Sequence, residues 1–154
     1  MSQPAVKPIP EGMHALTPHL VCANAAAAIE FYKRAFGAIE LSRLPGPGGK
    51  LMHAALRING AMLMLNDEFP DHGVTGPQPG QTSPVTIHFF VPDVDAAIRR
   101  AETAGATVVM PAQDMFWGDR YGIVKDPFGH RWSLATHQRD LSPQQIQEGM
   151  AKMG

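Results

Sequence analysis

Seven histidines and a single cysteine are the side chains of this 154-residue chain with the widest chemistry near neutral pH. His19 and His88 stand 69 residues apart in matching strings, Thr17-Pro18-His19 and Thr86-Ile87-His88, while His53 and His137 sit in alternating apolar runs. A neutral imidazole near its unperturbed pKa can hydrogen-bond a ligand, act as a base or bind a divalent ion. A repeat-related pair with help from His53 or His137 therefore suits a ligand contact or a metal site, and a satisfied wall histidine is the plain alternative. The string Phe116-Trp117-Gly118-Asp119-Arg120 offers a second chemistry, because Trp117 beside Arg120 can stack on and pair with a planar anion. It reads equally as a turn pinned by a buried Trp, with a structural Asp119. Cys22 cannot form an internal disulfide or a Cys-based zinc site and is expected to be an inert core thiol. The chain has no Gly-x-Ser-x-Gly string and no glycine-rich strand–turn–helix, which argues against a nucleophile hydrolase and a nucleotide-like cofactor.

These residues need elements to position them, and a repeat supplies the pattern. At an offset of 69, Asn24 recurs as Asp93, Ala28-Ile29 as Ala97-Ile98, Gly60 as Gly129 and Leu65 as Leu134. Each copy has a short apolar run, a polar N-cap at Asn24 or Asp93, an amphipathic helix, and a glycine stop at Gly37 or Gly105. Three strands follow each helix: about 39–44, 50–58 and 61–67 in the first copy, and 107–110, 120–125 and 131–136 in the second. Each copy reads βαβββ. The expected fold is α+β, tandem βαβββ modules forming a curved mixed sheet around a cleft.

The modules span 14–67 and 85–137, preceded by a tail over 1–13 and separated by a linker over 68–84. That linker holds four prolines and three glycines in seventeen residues, and loops of this length serve as lids, binding loops or plain connectors. The tail over 138–154 carries a short helix announced by Ser142-Pro143-Gln144-Gln145. Strand parity then sorts the side chains. Leu20, Cys22, Met52, Ala54, Leu56, Ile58, Ile87, Phe89 and Val91 fall on the helix side. His19, His53, Arg57, Met62, Met64, His88, Phe90, Ser133 and His137 fall on the open faces, which enclose a cavity if the sheets come together. Trp132 belongs to the core.

Composition narrows the class further. Thirteen basic against fourteen acidic side chains leave a formal charge of -1, with no footprint for nucleic acid or an anionic membrane. No run approaches the 18 or so apolar residues of a membrane span, and one cysteine suits a reducing compartment, so a cytoplasmic location is expected.

The duplicated module, with Ile29-Glu30-Phe31-Tyr32, Phe36-Gly37 and Lys125-Asp126-Pro127-Phe128-Gly129-His130-Arg131-Trp132, resembles the vicinal oxygen chelate superfamily of glyoxalase I, extradiol dioxygenases, epimerases and antibiotic-resistance proteins. Met52-His53-Ala54, Phe116-Trp117-Gly118-Asp119-Arg120 and Leu134-Ala135-Thr136-His137 look like its PhnB-like, glyoxalase/bleomycin-resistance-type subgroup. The resemblance implies four His or Glu metal ligands on the first and fourth strands of the modules. Those places carry Thr17, Met64, Thr86 and Ser133, a poor set for Ni, Zn, Fe or Mg. The resemblance thus implies a homodimeric small-molecule binding protein of resistance or sequestration type without a cofactor. Its ligand would be planar or aromatic and lie in the cleft between modules, against His19, His53, His88, Trp117 and Arg120. The alternative is a metal-dependent lyase, isomerase or dioxygenase using a displaced histidine site; glyoxalase I activity itself is not expected.

Overall fold

The computed structural model describes residues 5–153, so residues 1–4 of the expected N-terminal tail lie outside the described residues. The first module comprises β1 (His19–Cys22), α1 (Ala25–Phe36), β2 (Ile39–Pro45), β3 (Leu51–Ile58) and β4 (Ala61–Asp67). The second comprises β5 (Thr86–Phe90), α2 (Val94–Ala104), β6 (Thr107–Asp114), β7 (Asp119–Lys125) and β8 (Arg131–His137), and α3 (Pro143–Ala151) closes the chain. Each module builds its own four-stranded sheet, in the orders β1-β4-β3-β2 and β5-β8-β7-β6. The β1–β4 and β5–β8 pairs are parallel and the others antiparallel, so both sheets are mixed. Among the described residues no helix is long and apolar enough to cross a membrane.

The repeat is written into the hydrogen bonds. Asn24 and Asp93 both have extended backbones, and their carboxamide and carboxyl oxygens accept from the Ala27 and Ala96 N–H groups at 3.1 Å each. The next free donor of each helix is met by the final strand of its own module. Ala25 N–H donates to Asp67 Oδ1 and Val94 N–H to Thr136 Oγ1, both at 2.8 Å. Gly37, at φ 69°, ends α1 in the left-handed conformation that a side chain disfavours, and its N–H returns to the Lys33 and Tyr32 carbonyls. The Ser142–Gln145 capping box opens α3.

The modules meet through their helices. In α1, Phe31 and Ala35 are buried along with the expected stripe of Ala25, Ala28, Ile29, Tyr32 and Phe36, because the helix is covered by its own sheet on one side and by the second module on another. Phe36 lies 4.7 Å from Trp132 and 5.6 Å from Phe89, ring centre to ring centre. Asp126, 2% exposed, joins the halves: its Oδ2 accepts from Tyr32 Oη at 2.5 Å and Trp132 Nε1 at 3.0 Å. Its Oδ1 accepts the Phe128 and His130 N–H groups, and His130 Nε2 bonds the Val21 carbonyl at 2.9 Å. The turn Asp126-Pro127-Phe128-Gly129 therefore sews the second module to the first.

Four sequence expectations change. β6 runs to Asp114 rather than ending near Met110, since an edge strand tolerates Pro111 with register shifts on either side. Met52, expected on the helix side, is 47% exposed, because the register shift at Leu44/Pro45 breaks the alternation there and buries neighbouring Leu51 instead. The linker carries a 3-10 turn at Pro70–His72 and a Phe69–Val74 bridge. Between the modules lies packed core, so within one protomer the open faces turn outward instead of enclosing a cleft.

Candidate functional site

On the first sheet, register puts His19 beside Met64, and Arg57 beside Met62, on the open face. His19 Nε2 lies 2.6 Å from Asn66 Oδ1, whose Nδ2 donates to the Asp67 carbonyl, so the amide orients the imidazole. His53 meets His19 edge to face at 5.8 Å. Arg57 is exposed and forms no ion pair among the described residues.

The second sheet repeats the position with different company. His88 stands beside Ser133 in register, as His19 stands beside Met64, and its Nδ1 lies 2.7 Å from Ser133 Oγ. Tyr121 lies over His88 at 5.9 Å with planes 23° apart, and Phe90 meets the imidazole edge-on at 4.6 Å. Trp117 continues the row, edge-on to Tyr121 at 5.3 Å, with Phe116 behind it at 5.0 Å. Phe90 is 58% exposed, a large cost for an aromatic ring unless something covers it. Sequence reading missed Tyr121, although strand alternation places it opposite in facing to Arg120.

The structure brings His19 to His53 and His88 to Trp117 through Tyr121, but gives no contact between these two groups. Arg120 is elsewhere. It pairs in register with Thr136 on the helix side, where Nε and Nη2 reach the Asp95 carboxylate at 2.7 and 3.1 Å and Nη1 reaches Asp114. Its bond to Asp95 holds that carboxyl below the usual range. The expected Trp117–Arg120 grip on an anion is thus corrected: Trp117, in the loop before β7, is held by Asp119, while Arg120 faces the other side of β7 and is claimed by Asp95 of α2.

Asp119 is buried and receives Trp117 Nε1–H at 3.1 Å and His137 Nδ1 at 2.6 Å. His137 Nε2 faces Asp140 Oδ1 at 2.7 Å, and the hydrogen bonds to Asp140 and then Asp119 raise its pKa above the ordinary imidazole value. Cys22 is fully buried, and burial, then the Asp126 and Asp67 charges, push its thiol well up, so no thiolate nucleophile arises there.

Thr17, Met64, Thr86 and Ser133 offer hydroxyls and a thioether to the four-ligand divalent centre of glyoxalase-type enzymes, and Ser133 is already bonded to His88. That donor set does not fit the ion. Among the described residues, no three His, Cys, Asp or Glu side chains come together in a metal-holding group. A groove of about 580 Å³ lies away from both histidine faces, between the Pro47–Lys50 turn and linker residues Phe69–Val74. Its lining carries Lys50, Asp71 and His72, with Lys50 Nζ held by the Glu68 carbonyl over the Phe69 ring. The aromatic face is the better candidate site, because it sets His88 in a continuous row of rings, Phe90, Tyr121 and Trp117.

A family model described as the glyoxalase/bleomycin resistance protein/dioxygenase superfamily matches residues 13–134. The uncharacterized protein Rv0887c of Mycobacterium tuberculosis is 55% identical over 144 residues, covering 91% of this chain and 84% of that protein. The anthracycline biosynthesis protein DnrV of Streptomyces peucetius is 31% identical over 116 residues, 72% of this chain and 42% of its own length. The crystal structure of TioX from Micromonospora sp. ML1 superposes with a TM-score of 0.64 at 30% identity, over 79% of this chain and 97% of TioX. A PhnB protein from Bacillus cereus, 19% identical, shares the fold with a TM-score of 0.62 over 80% of this chain and 99% of that one.

Proposed function

The chain belongs to the glyoxalase/bleomycin resistance protein/dioxygenase superfamily, and from that premise we propose that it is a small-molecule binding protein for a planar aromatic ligand. The observation that carries the reading is the row Phe90, His88, Tyr121 and Trp117 on the open face of the second sheet. Flat rings stack on such a row with about 0.5–1.5 kcal/mol per aromatic pair beyond simple burial. The imidazoles of His88, His19 and His53 supply hydrogen bonds for ring substituents. Arg57 takes over the anion-pairing role that Arg120 leaves vacant. DnrV, by its name, links a relative to anthracyclines, which are flat polycyclic molecules, and so supports the planar reading.

Because the open faces are exposed in one protomer, with Phe90 at 58%, the binding unit is a homodimer in which a second copy covers them. Light scattering tests this, and a concentration-independent monomer would reject it. Doxorubicin is the first probe for the ligand. It should quench Trp117 fluorescence, leave buried Trp132 unaffected, and lose roughly tenfold in affinity on Tyr121→Ala, as expected for one stacking partner. Absence of quenching at millimolar probe, or equal affinity in the variant, would overturn the reading. Metal content of protein purified without chelator separates this reading from the competing lyase, isomerase or dioxygenase reading. Near-stoichiometric Fe, Ni, Zn or Mn abolished by His88→Ala would establish that alternative instead.

A further inference from the structure

His137 ends β8, and both of its ring nitrogens face carboxylate oxygens: Nδ1 to Asp119 Oδ1 at 2.6 Å and Nε2 to Asp140 Oδ1 at 2.7 Å. A neutral imidazole has one donor and one lone pair, so it can satisfy only one of two such acceptors; both contacts together require the imidazolium. The two carboxylates are unlike. Asp119 is buried and also holds the Trp117 indole, whereas the Asp140 side chain is fully exposed. When the proton leaves, Asp119 keeps Nδ1–H and Asp140 is the partner that lets go. The charged groups in contact with His137 are Asp119 from β7 and Asp140 from the segment after β8; neighbouring Arg120 is held on the opposite face by Asp95 and Asp114.

Asp140 leads directly into α3. That helix has nine residues and buries none of them, short of the roughly 12–15 that make an isolated helix persist. Its anchors are few. The Gln138 and Arg139 N–H groups donate to the Gly118 carbonyl, and Gly149 lets the helix backbone press against Phe116, where an added Cβ would stand 3.0 Å from Phe116 Cβ. Phe116 and Gly118 flank Trp117, so α3 lies across the loop that carries one end of the aromatic row.

We infer that the charged His137 side chain pins α3 as a strap over the Phe116–Gly118 loop, and that loss of its proton loosens the strap. A weakly held helix is where one exposed ion pair matters, because local opening there costs far less than global unfolding. An exposed pair shifts such a docking equilibrium by about two- to fivefold. The sign follows from the raised imidazole pKa: the contact is complete below the ordinary value near 6.5 and is lost as pH rises through the higher folded value. The consequence for a ligand rests on the aromatic face being the binding surface; the docking itself does not.

Amide hydrogen exchange of the intact, ligand-free protein tests the strap, with rates corrected for intrinsic pH dependence and the His137 titration followed by its C2–H resonance. Protection across 143–151 should fall about two- to fivefold through that titration. Asp140→Ala, which removes the hydrogen-bonding side chain at an exposed position, should place α3 at the low-protection level at every pH, without changing protection in β7 or β8. Unchanged α3 protection across the titration, or a pH-dependent α3 in Asp140→Ala, would overturn the inference. Because no ligand is present, this result is independent of whether the aromatic face binds one.

Discussion

Replacing Asp126 by alanine should weaken the seam between the modules more than any surface change. Its carboxyl group accepts four hydrogen bonds, and three of the donors, Tyr32 Oη–H, Trp132 Nε1–H and the His130 N–H, are buried. Burial, with the Asp126 charge next, pushes the Tyr32 hydroxyl well above its usual range, so it remains a donor that needs an acceptor. Leaving a buried donor unpaired costs about 1–3 kcal/mol. Three at the lower bound give about 3 kcal/mol, and losses beyond about 4–5 are exceptional, so about 3–5 kcal/mol is expected. For a chain of this size each kcal/mol moves Tm by about 2–4 °C, which predicts a fall of roughly 6–20 °C by calorimetry. Tyr32→Phe removes one donor and leaves Trp132 on the same oxygen, so it should cost only about 1–1.5 kcal/mol. The double variant should cost less than the sum of the two, since they share a bond. A loss under about 1 kcal/mol for Asp126→Ala, in urea unfolding with full recovery, would refute the claim that this carboxyl joins the halves.

Two further changes test other parts of the fold. Gly129→Ala places a Cβ 2.6 Å from Pro77 Cβ at a residue with φ +90°, so strain and a clash with the linker add; about 2–4 kcal/mol should be lost in chemical denaturation. Arg120→Gln should leave doxorubicin affinity unchanged and lower Tm less than Asp126→Ala does, because its only partly buried pairs with Asp95 and Asp114 lie on the helix side. A large drop in affinity would restore Arg120 to the ligand face.

Much of this architecture is legible in one sequence because its signals are local. Asn24 and Asp93 reveal helix starts through their own side chains, and Gly37 reveals a stop through the backbone conformation it permits. Alternation placed His19, His53 and His88 on open faces, and the repeat tied His19 to His88. What failed was non-local. Arg120 and Trp117 are close in sequence, but the destination of Arg120 depends on Asp95, twenty-five residues away on another element. Met52 lies at the irregular pairing of β3 with β2, where the alternation breaks so that Leu51 is buried and Met52 is exposed.

The sequence by itself determined the two βαβββ units and the sidedness of most of their strand positions. Those are properties of residue type, spacing and backbone preference, which do not depend on what lies opposite. Only the tertiary structure decided that the modules join helix to helix through Tyr32, Asp126 and Trp132, that His88 and Trp117 are linked by Tyr121, and that His137 sits between two carboxylates. Each of these is a meeting of groups distant along the chain, and packing, rather than any local rule, selects which pairs meet.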